Sequence, residues 1–153
     1  MTPVEYMQVA LSEGRKALPL CLPNPPVGCV LVRNGEIIGR GHTQRPGDAH
    51  AEICALCDVD GDLGDSTLFV TLEPCAFHGR TPSCAEAIIG SGIRNVVVAI
   101  IDPDPRNDGA GIAKLRSAGI QVQVGVLADQ AQADLGSYLN LPSNNRVEWQ
   151  CHE

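Results

Sequence analysis

Apolar residues Val4, Met7, Leu11 and Leu18 recur at helical spacing. Thr2-Pro3-Val4-Glu5 ahead of them reads as an N-cap, a proline at the first helical position and a capping-box glutamate. Leu22-Pro23-Asn24-Pro25-Pro26 cannot be helical, so an extended loop follows. Val27 to Arg33 is strongly apolar, Asn34-Gly35 is a tight-turn pair, and Glu36 to Gly41 returns antiparallel, which predicts a β-hairpin. Ala49 to Asp58 reads as a helix with Asp48 as its cap. Thr67 to Leu72 is a strand ending at Glu73-Pro74. Thr81-Pro82 then opens a helix that runs through Ile89 and stops at Gly90. Asn95 to Ile101 is a near-continuous apolar strand, of the kind covered on both faces. A helix over Ala110 to Ala118, a short strand over Ile120 to Val124 and a helix over Asp129 to Leu139 complete the order.

Helices and strands in this alternation predict an α/β fold, a three-layer α/β/α arrangement on a mixed five-stranded sheet. No repeat, low-complexity tract or linker divides the chain. One domain over residues 1–141 and a polar tail over 142–153 are expected.

Composition narrows the function. A chain of 153 residues can bury a proper core, and 44% hydrophobic against 19% charged residues excludes a disordered chain. No run approaches the ~18 apolar residues of a membrane span, and no signal peptide is seen at Met1. A formal charge of −7 and only 3% aromatic residues argue against a nucleic-acid partner. The 7 cysteines, an odd number without an export signal, argue against a disulfide framework. A cytoplasmic location is expected, with some cysteines buried as small apolar residues and others serving as ligands or nucleophiles.

Two segments carry candidate chemistry: His50-Ala51-Glu52 at a helix start, and Thr71-Leu72-Glu73-Pro74-Cys75 leading on to Cys84. One imidazole and two thiolates make a three-ligand Zn²⁺ site with the fourth position open to water. Free N–H groups at a helix mouth stabilise a thiolate, and zinc with two thiolates is about neutral, so its water can lose a proton near pH ~7. Glu52 is the informative residue, because a structural zinc site needs no carboxylate beside its histidine whereas hydrolysis needs a proton carrier that is not a ligand. His-x-Glu followed by Pro-Cys and a second Cys is the zinc deaminase pattern. Residues two apart diverge within a helix, so His50 and Glu52 can converge only at the helix mouth. Cys54-x-x-Cys57 is a rival partner set for His50, since positions 50, 54 and 57 share one helical face, but the stretch is apolar and reads as packed core. Cys21, Cys29 and Cys151 have no ligand partners nearby. Asp102 and Asp104 between prolines read as turn residues, and Gly109-Ala110-Gly111 as a turn that lets a helix approach closely.

Asn24-Pro25-Pro26-Val27-Gly28, His50-Ala51-Glu52, Thr71-Leu72-Glu73-Pro74-Cys75, Gly79-Arg80-Thr81-Pro82 and Cys84 together resemble the deaminase domain of the bacterial riboflavin-biosynthesis deaminase/reductase (RibD) family. That family lies in the cytidine-deaminase-like superfamily. The later segments Asp102-Pro103-Asp104-Pro105 and Gly109-Ala110-Gly111-Ile112 are similar too. Eight residues separate Cys75 from Cys84, with the Gly-Arg-Thr-Pro insert of the riboflavin branch rather than the two-residue spacing of base and nucleoside deaminases. The resemblance implies zinc-dependent hydrolytic deamination of 2,5-diamino-6-(5-phosphoribosylamino)pyrimidin-4(3H)-one. Glu52 would protonate a ring nitrogen and then the departing amine, and His50, Cys75 and Cys84 would hold the metal. Asn24 would bind the base and the sugar edge, His42 and His78 would help line the pocket, and Arg80 and Thr81 would hold the ribose phosphate. The family usually has His where Phe77 stands and Pro where Ser83 stands. Another base, nucleoside or specialised amino-heterocycle is therefore the alternative substrate, and a non-catalytic zinc-binding module is the reading Glu52 disfavours. A homo-oligomer is expected by analogy. The chain stops where the family's NADPH-dependent reductase domain would begin, so a separate reductase is expected for any reduction that follows.

Overall fold

A computed structural model describes residues 1–57, 59, 61–76 and 83–139. The first helix, α1 (Pro3–Arg15), starts where the cap predicts: the Thr2 hydroxyl accepts from the Glu5 backbone N–H at 3.3 Å. Its inward face is Tyr6, Met7, Ala10 and Leu11, whereas Val4 is 44% exposed and Leu18 lies beyond the helix end. Apolar spacing therefore found two of the four expected core positions. The other inward positions went to small or amphipathic residues, because α1 lies directly against the start of β1.

Strands β1 (Gly28–Arg33) and β2 (Glu36–His42) form the expected hairpin. Asn34 (φ 54°) and Gly35 (φ 79°) are both left-handed, the backbone an Asn-Gly hairpin turn requires. The Tyr6 hydroxyl donates to Gly35 O at 2.8 Å and ties α1 to that turn. Short α2 (Ala51–Leu56), β3 (Ser66–Leu72), α3 (Cys84–Ser91), β4 (Asn95–Ile100), α4 (Ala110–Ser117), β5 (Gln121–Val124) and α5 (Ala128–Leu139) follow.

Three expected boundaries shift. His50, not Asp48, is the N-cap residue of α2. Ser83 caps α3 by accepting from Glu86 N–H at 3.2 Å, so Cys84 is its first residue, and Thr81 and Pro82 lie outside the described residues. That helix continues past Gly90 to a left-handed C-cap at Gly92 (φ 85°), because Gly90 is tolerated as an ordinary helical residue. The tail expected over 142–153 also lies outside the described residues.

The sheet order is β2-β1-β3-β4-β5, with β1 antiparallel to both neighbours and β3, β4 and β5 parallel. Helices α1 and α5 cover one face; α2, α3 and α4 cover the other. The predicted α/β/α layering on a mixed five-stranded sheet is thus the observed fold. Both faces of β1, β3 and β4 are covered, which is why these strands are apolar almost throughout. No helix among the described residues is long and apolar enough to cross a membrane.

Topology decides where a site can form. Gly28 at the start of β1 pairs with His42 at the end of β2, and Cys29 pairs with Val70 near the end of β3. The loop carrying Asn24, the loop from β2 to α2 and the loop leaving β3 therefore meet at one end of the sheet. Ligand sites favour this end, where parallel strands finish and the sheet changes direction.

Candidate active site

Helix α2 brings His50 and Glu52 to that end. It lies flat on β2 because position 41 has no side chain: a Cβ on Gly41 would sit 2.1 Å from Ala51 O and 2.6 Å from Ala55 N. His50 is extended (φ −76°, ψ 167°) and stands outside the helical spiral, while Glu52 lies in the first turn. The condition for convergence is met, and both side chains line one pocket with Asn24, Val27, Thr43 and Leu72. Both are buried, His50 at 7% and Glu52 at 3% exposure.

Cys75 and Cys84 close the cluster. His50 Nδ1 lies 3.0 Å from Cys84 Sγ and 3.9 Å from Cys75 Sγ, and the three donor atoms all fall within 4.8 Å of one another. The Cys84 backbone N–H donates to Cys75 Sγ at 3.2 Å. Tetrahedral zinc with bonds of ~2.0–2.3 Å spaces its ligand atoms about 3.3–3.8 Å apart, so side-chain shifts of at most about 1 Å accommodate the ion. Two soft sulfurs and one imidazole are also the donor set zinc prefers, and the mouth of α3 supplies the N–H groups that favour thiolates. Among the described residues, no other group of three candidate ligands comes together. The rival set of His50, Cys54 and Cys57 is not assembled: Cys54 packs over Gly41 and Cys57 is exposed. Cys29 is fully buried; burial first, then the nearby Glu52 and Cys54, pushes its thiol well above the ordinary 9.0, which suits a small apolar core residue.

Asn24 is 4% exposed, and its buried Oδ1 has no hydrogen-bond partner among the described residues. An unpaired buried acceptor costs about 1–3 kcal/mol, a cost that a donor on a bound ligand would offset. Its loop is held by Thr43, whose hydroxyl accepts from Val27 N–H (3.0 Å) and donates to Pro25 O (2.9 Å). His42 does not line this pocket; its Nδ1 pairs with Glu13 Oε1 at 3.0 Å, beside the Lys16–Glu13 ion pair. Burial tends to raise the Glu13 carboxyl, but hydrogen bonds and charge from Lys16 and His42 outweigh it and leave the pKa lowered. His78, Arg80 and Thr81 lie outside the described residues.

Asp102 and Asp104 make the expected turns, Asp102 Oδ1 accepting from Asp104 N–H and Asp104 Oδ1 from Arg106 N–H, each at 3.0 Å. Sequence reasoning passed over Thr43, Glu73 and Asn107, which hold the loops carrying the site. One signal was available for Glu73: a lone charge at the end of an apolar, doubly covered strand must find buried partners.

Residues 2–100 match the family model of the cytidine and deoxycytidylate deaminase zinc-binding region. The riboflavin biosynthesis protein RibD of Aquifex aeolicus is 49% identical over 127 residues, 83% of this chain and 36% of that protein. The solved structure of Acinetobacter baumannii RibD (form 2) matches with a TM-score of 0.85 at 40% identity, over 90% of this chain and 39% of that one. A Thermotoga maritima diaminohydroxyphosphoribosylaminopyrimidine deaminase/5-amino-6-(5-phosphoribosylamino)uracil reductase matches at 0.84 and 40%, over 90% and 40%. The chain thus spans 36–40% of the length of these three relatives. The family match runs from α1 through β4 and includes both cysteine-bearing segments, and the chain belongs to the cytidine and deoxycytidylate deaminase zinc-binding family.

Proposed function

We propose that this chain is a zinc-dependent hydrolytic deaminase of an aminopyrimidine, and that its substrate is 2,5-diamino-6-(5-phosphoribosylamino)pyrimidin-4(3H)-one of riboflavin synthesis. The observation that carries the reading is that the buried Glu52 lines one pocket with His50, a member of the three-donor cluster. The riboflavin substrate is favoured by the 49% identity to a riboflavin biosynthesis protein.

His50, Cys75 and Cys84 hold the zinc, which when bound supplies a water activated for attack at neutral pH. Glu52 takes one proton from the attacking water and gives it to a ring nitrogen as the ring carbon is attacked; it then takes the second proton from the new C–OH group and gives it to the amine, so that the C–N bond breaks, ammonia leaves and a carbonyl remains. Its burial excludes competing solvent from the transfer. Asn24 reads the polar edge of the base through its buried Oδ1, which has no partner among the described residues. Of the remaining substrate-side assignments, Arg80 and Thr81 are kept for the ribose phosphate and His78 for the pocket lining, whereas His42, paired with Glu13, is withdrawn from the pocket. Deamination is the half of the paired activity that these residues support. A cytoplasmic location fits cysteines placed as a metal-ligand cluster and as buried apolar residues, and a homo-oligomer is kept by analogy with related deaminases.

Ammonia release from a substrate panel, run with a metal assay, tests this reading. The phosphoribosylated diaminopyrimidinone is expected to be turned over far faster than cytosine, cytidine or guanine, with one zinc per chain. Preference for one of the other heterocycles would reassign the substrate. No ammonia from any of them, with zinc bound, would leave a zinc-stabilised binding module.

A further inference from the structure

Two side chains outside the ligand set grip the backbone that carries Cys75. The Glu73 carboxylate is 1% exposed and accepts from three backbone N–H groups. Oε1 takes Asp102 N–H (3.2 Å) and Gly109 N–H (2.9 Å), and Oε2 takes Ile112 N–H (3.0 Å). Gly109 is the N-cap residue of α4 and makes no side-chain cap of its own, so Glu73 caps that helix from the end of β3. A buried carboxylate without partners costs several kcal/mol; three N–H donors and the positive end of a helix make this one tolerable.

Asn107 grips the same loop from the other side. Its Nδ2 donates to Glu73 O (3.5 Å) and Pro74 O (3.2 Å), and its Oδ1 accepts from Ala76 N–H and Gly111 N–H, each at 3.2 Å. The approach needs a glycine, since a Cβ on Gly111 would lie 1.8 Å from Pro74 O. The β3–β4 ladder ends at the Glu73 N–H bond to Ile100 O, two residues before Cys75. Beyond that bond, residues on both sides of Cys75 are anchored to the segment between β4 and α4, which supplies no member of the cluster.

We propose that Glu73 and Asn107 are positioning residues for the metal centre: they set the Cys75 sulfur opposite Cys84 and His50 before any metal binds. This rests on reading Cys75 as a metal ligand. Preorganisation of this kind raises metal affinity, because the ion then does not have to order the loop. Loss of a ligand-supporting partner typically costs ~10–100-fold in affinity.

The test is Co²⁺ binding to the metal-free full chain, read by thiolate-to-metal charge-transfer absorption, with zinc affinity from chelator competition and Tm measured alongside. Glu73→Gln and Asn107→Asp are expected to weaken zinc by ~10–100-fold and to alter the Co²⁺ bands. Leu135→Ala, a cavity in α5 on the opposite face, is the stability control: Tm falls while affinity and spectrum hold. Wild-type affinity and bands in the folded Glu73 and Asn107 variants overturn the proposal. Should neither variant fold, amide exchange in the metal-free wild type decides. Ala76 N–H is expected to be as protected as Gly111 N–H, and fast exchange at Ala76 overturns the proposal. Cys75→Ala separates the two readings. Undiminished charge-transfer intensity in that variant removes Cys75 from the ligand set. Diminished intensity there, with Glu73→Gln unaltered, sinks the positioning role alone.

Discussion

His50 Nδ1 stands 3.0 Å from Cys84 Sγ although 34 positions separate the two residues along the chain. Each sits at a helix entrance, His50 as the N-cap residue of α2 and Cys84 as the first residue of α3. Two helix mouths therefore face one point, and their partial positive charges favour the anionic sulfurs gathered there.

Removing either residue should empty the centre. His50→Ala and Cys84→Ala are expected to lose the single zinc per chain, measured by elemental analysis. The double variant Cys54→Ser/Cys57→Ser should keep it, because those thiols lie outside the cluster. Zinc loss in the double variant would revive the helical cysteine pair as ligands.

Glu52→Gln keeps the side chain's size but removes its ability to accept and return a proton. Zinc content should be unchanged, while the rate of ammonia release should fall by ~10²–10⁴. Full turnover in this variant would remove Glu52 from the reaction.

Thr43→Val removes the hydroxyl that bridges Val27 N–H and Pro25 O, which keep only their mutual 3.0 Å bond, at about 0.5–1.5 kcal/mol for each side-chain bond lost. The Asn24 loop should loosen, so KM should rise more than kcat falls. Thr43→Ser should recover both bonds and the wild-type KM. Steady-state kinetics at fixed zinc content checks the split.

Gly41→Ala inserts a methyl where Ala51 O already stands 2.1 Å from the Cβ position. Overpacking of this kind costs about 1–3 kcal/mol, and here it lifts the helix that carries Glu52. Tm and kcat should fall together. Gly90→Ala, in α3 with nothing within 4 Å of the added Cβ, should instead stabilise by roughly 0.5–1 kcal/mol without touching turnover. Urea unfolding of both variants reads the contrast.

Glu13 has a folded-state pKa below its ordinary 4.5, so its contribution to stability is present above that value and is lost as pH falls through the lowered pKa. Glu13→Gln should therefore be less stable than wild type near neutrality. The gap should close as the solution is acidified below about pH 4.5. Urea midpoints across that range measure it, and a pH-independent gap would mean that Glu13 acts by packing rather than charge.

Much of the architecture was legible along the chain. The Asn34-Gly35 turn, the Thr2 cap and the doubly covered β4 each follow from short-range chemistry: backbone angles, one side-chain oxygen, a run of apolar residues. The same holds for the pairing of His50-x-Glu52 with Pro74-Cys75 and Cys84, since the types and spacing of these residues state the chemistry. Tertiary structure alone decided which of the apolar positions of α1 face inward, that Ser83 caps α3, and that His50, Cys75 and Cys84 meet within 4.8 Å. It also decided that a carboxylate at the end of β3 caps α4. Those outcomes depend on how far one backbone stands from another, which is set by strand order and by where a missing Cβ lets a helix settle. A periodic pattern carries the direction of a side chain, but not the identity of what lies opposite it.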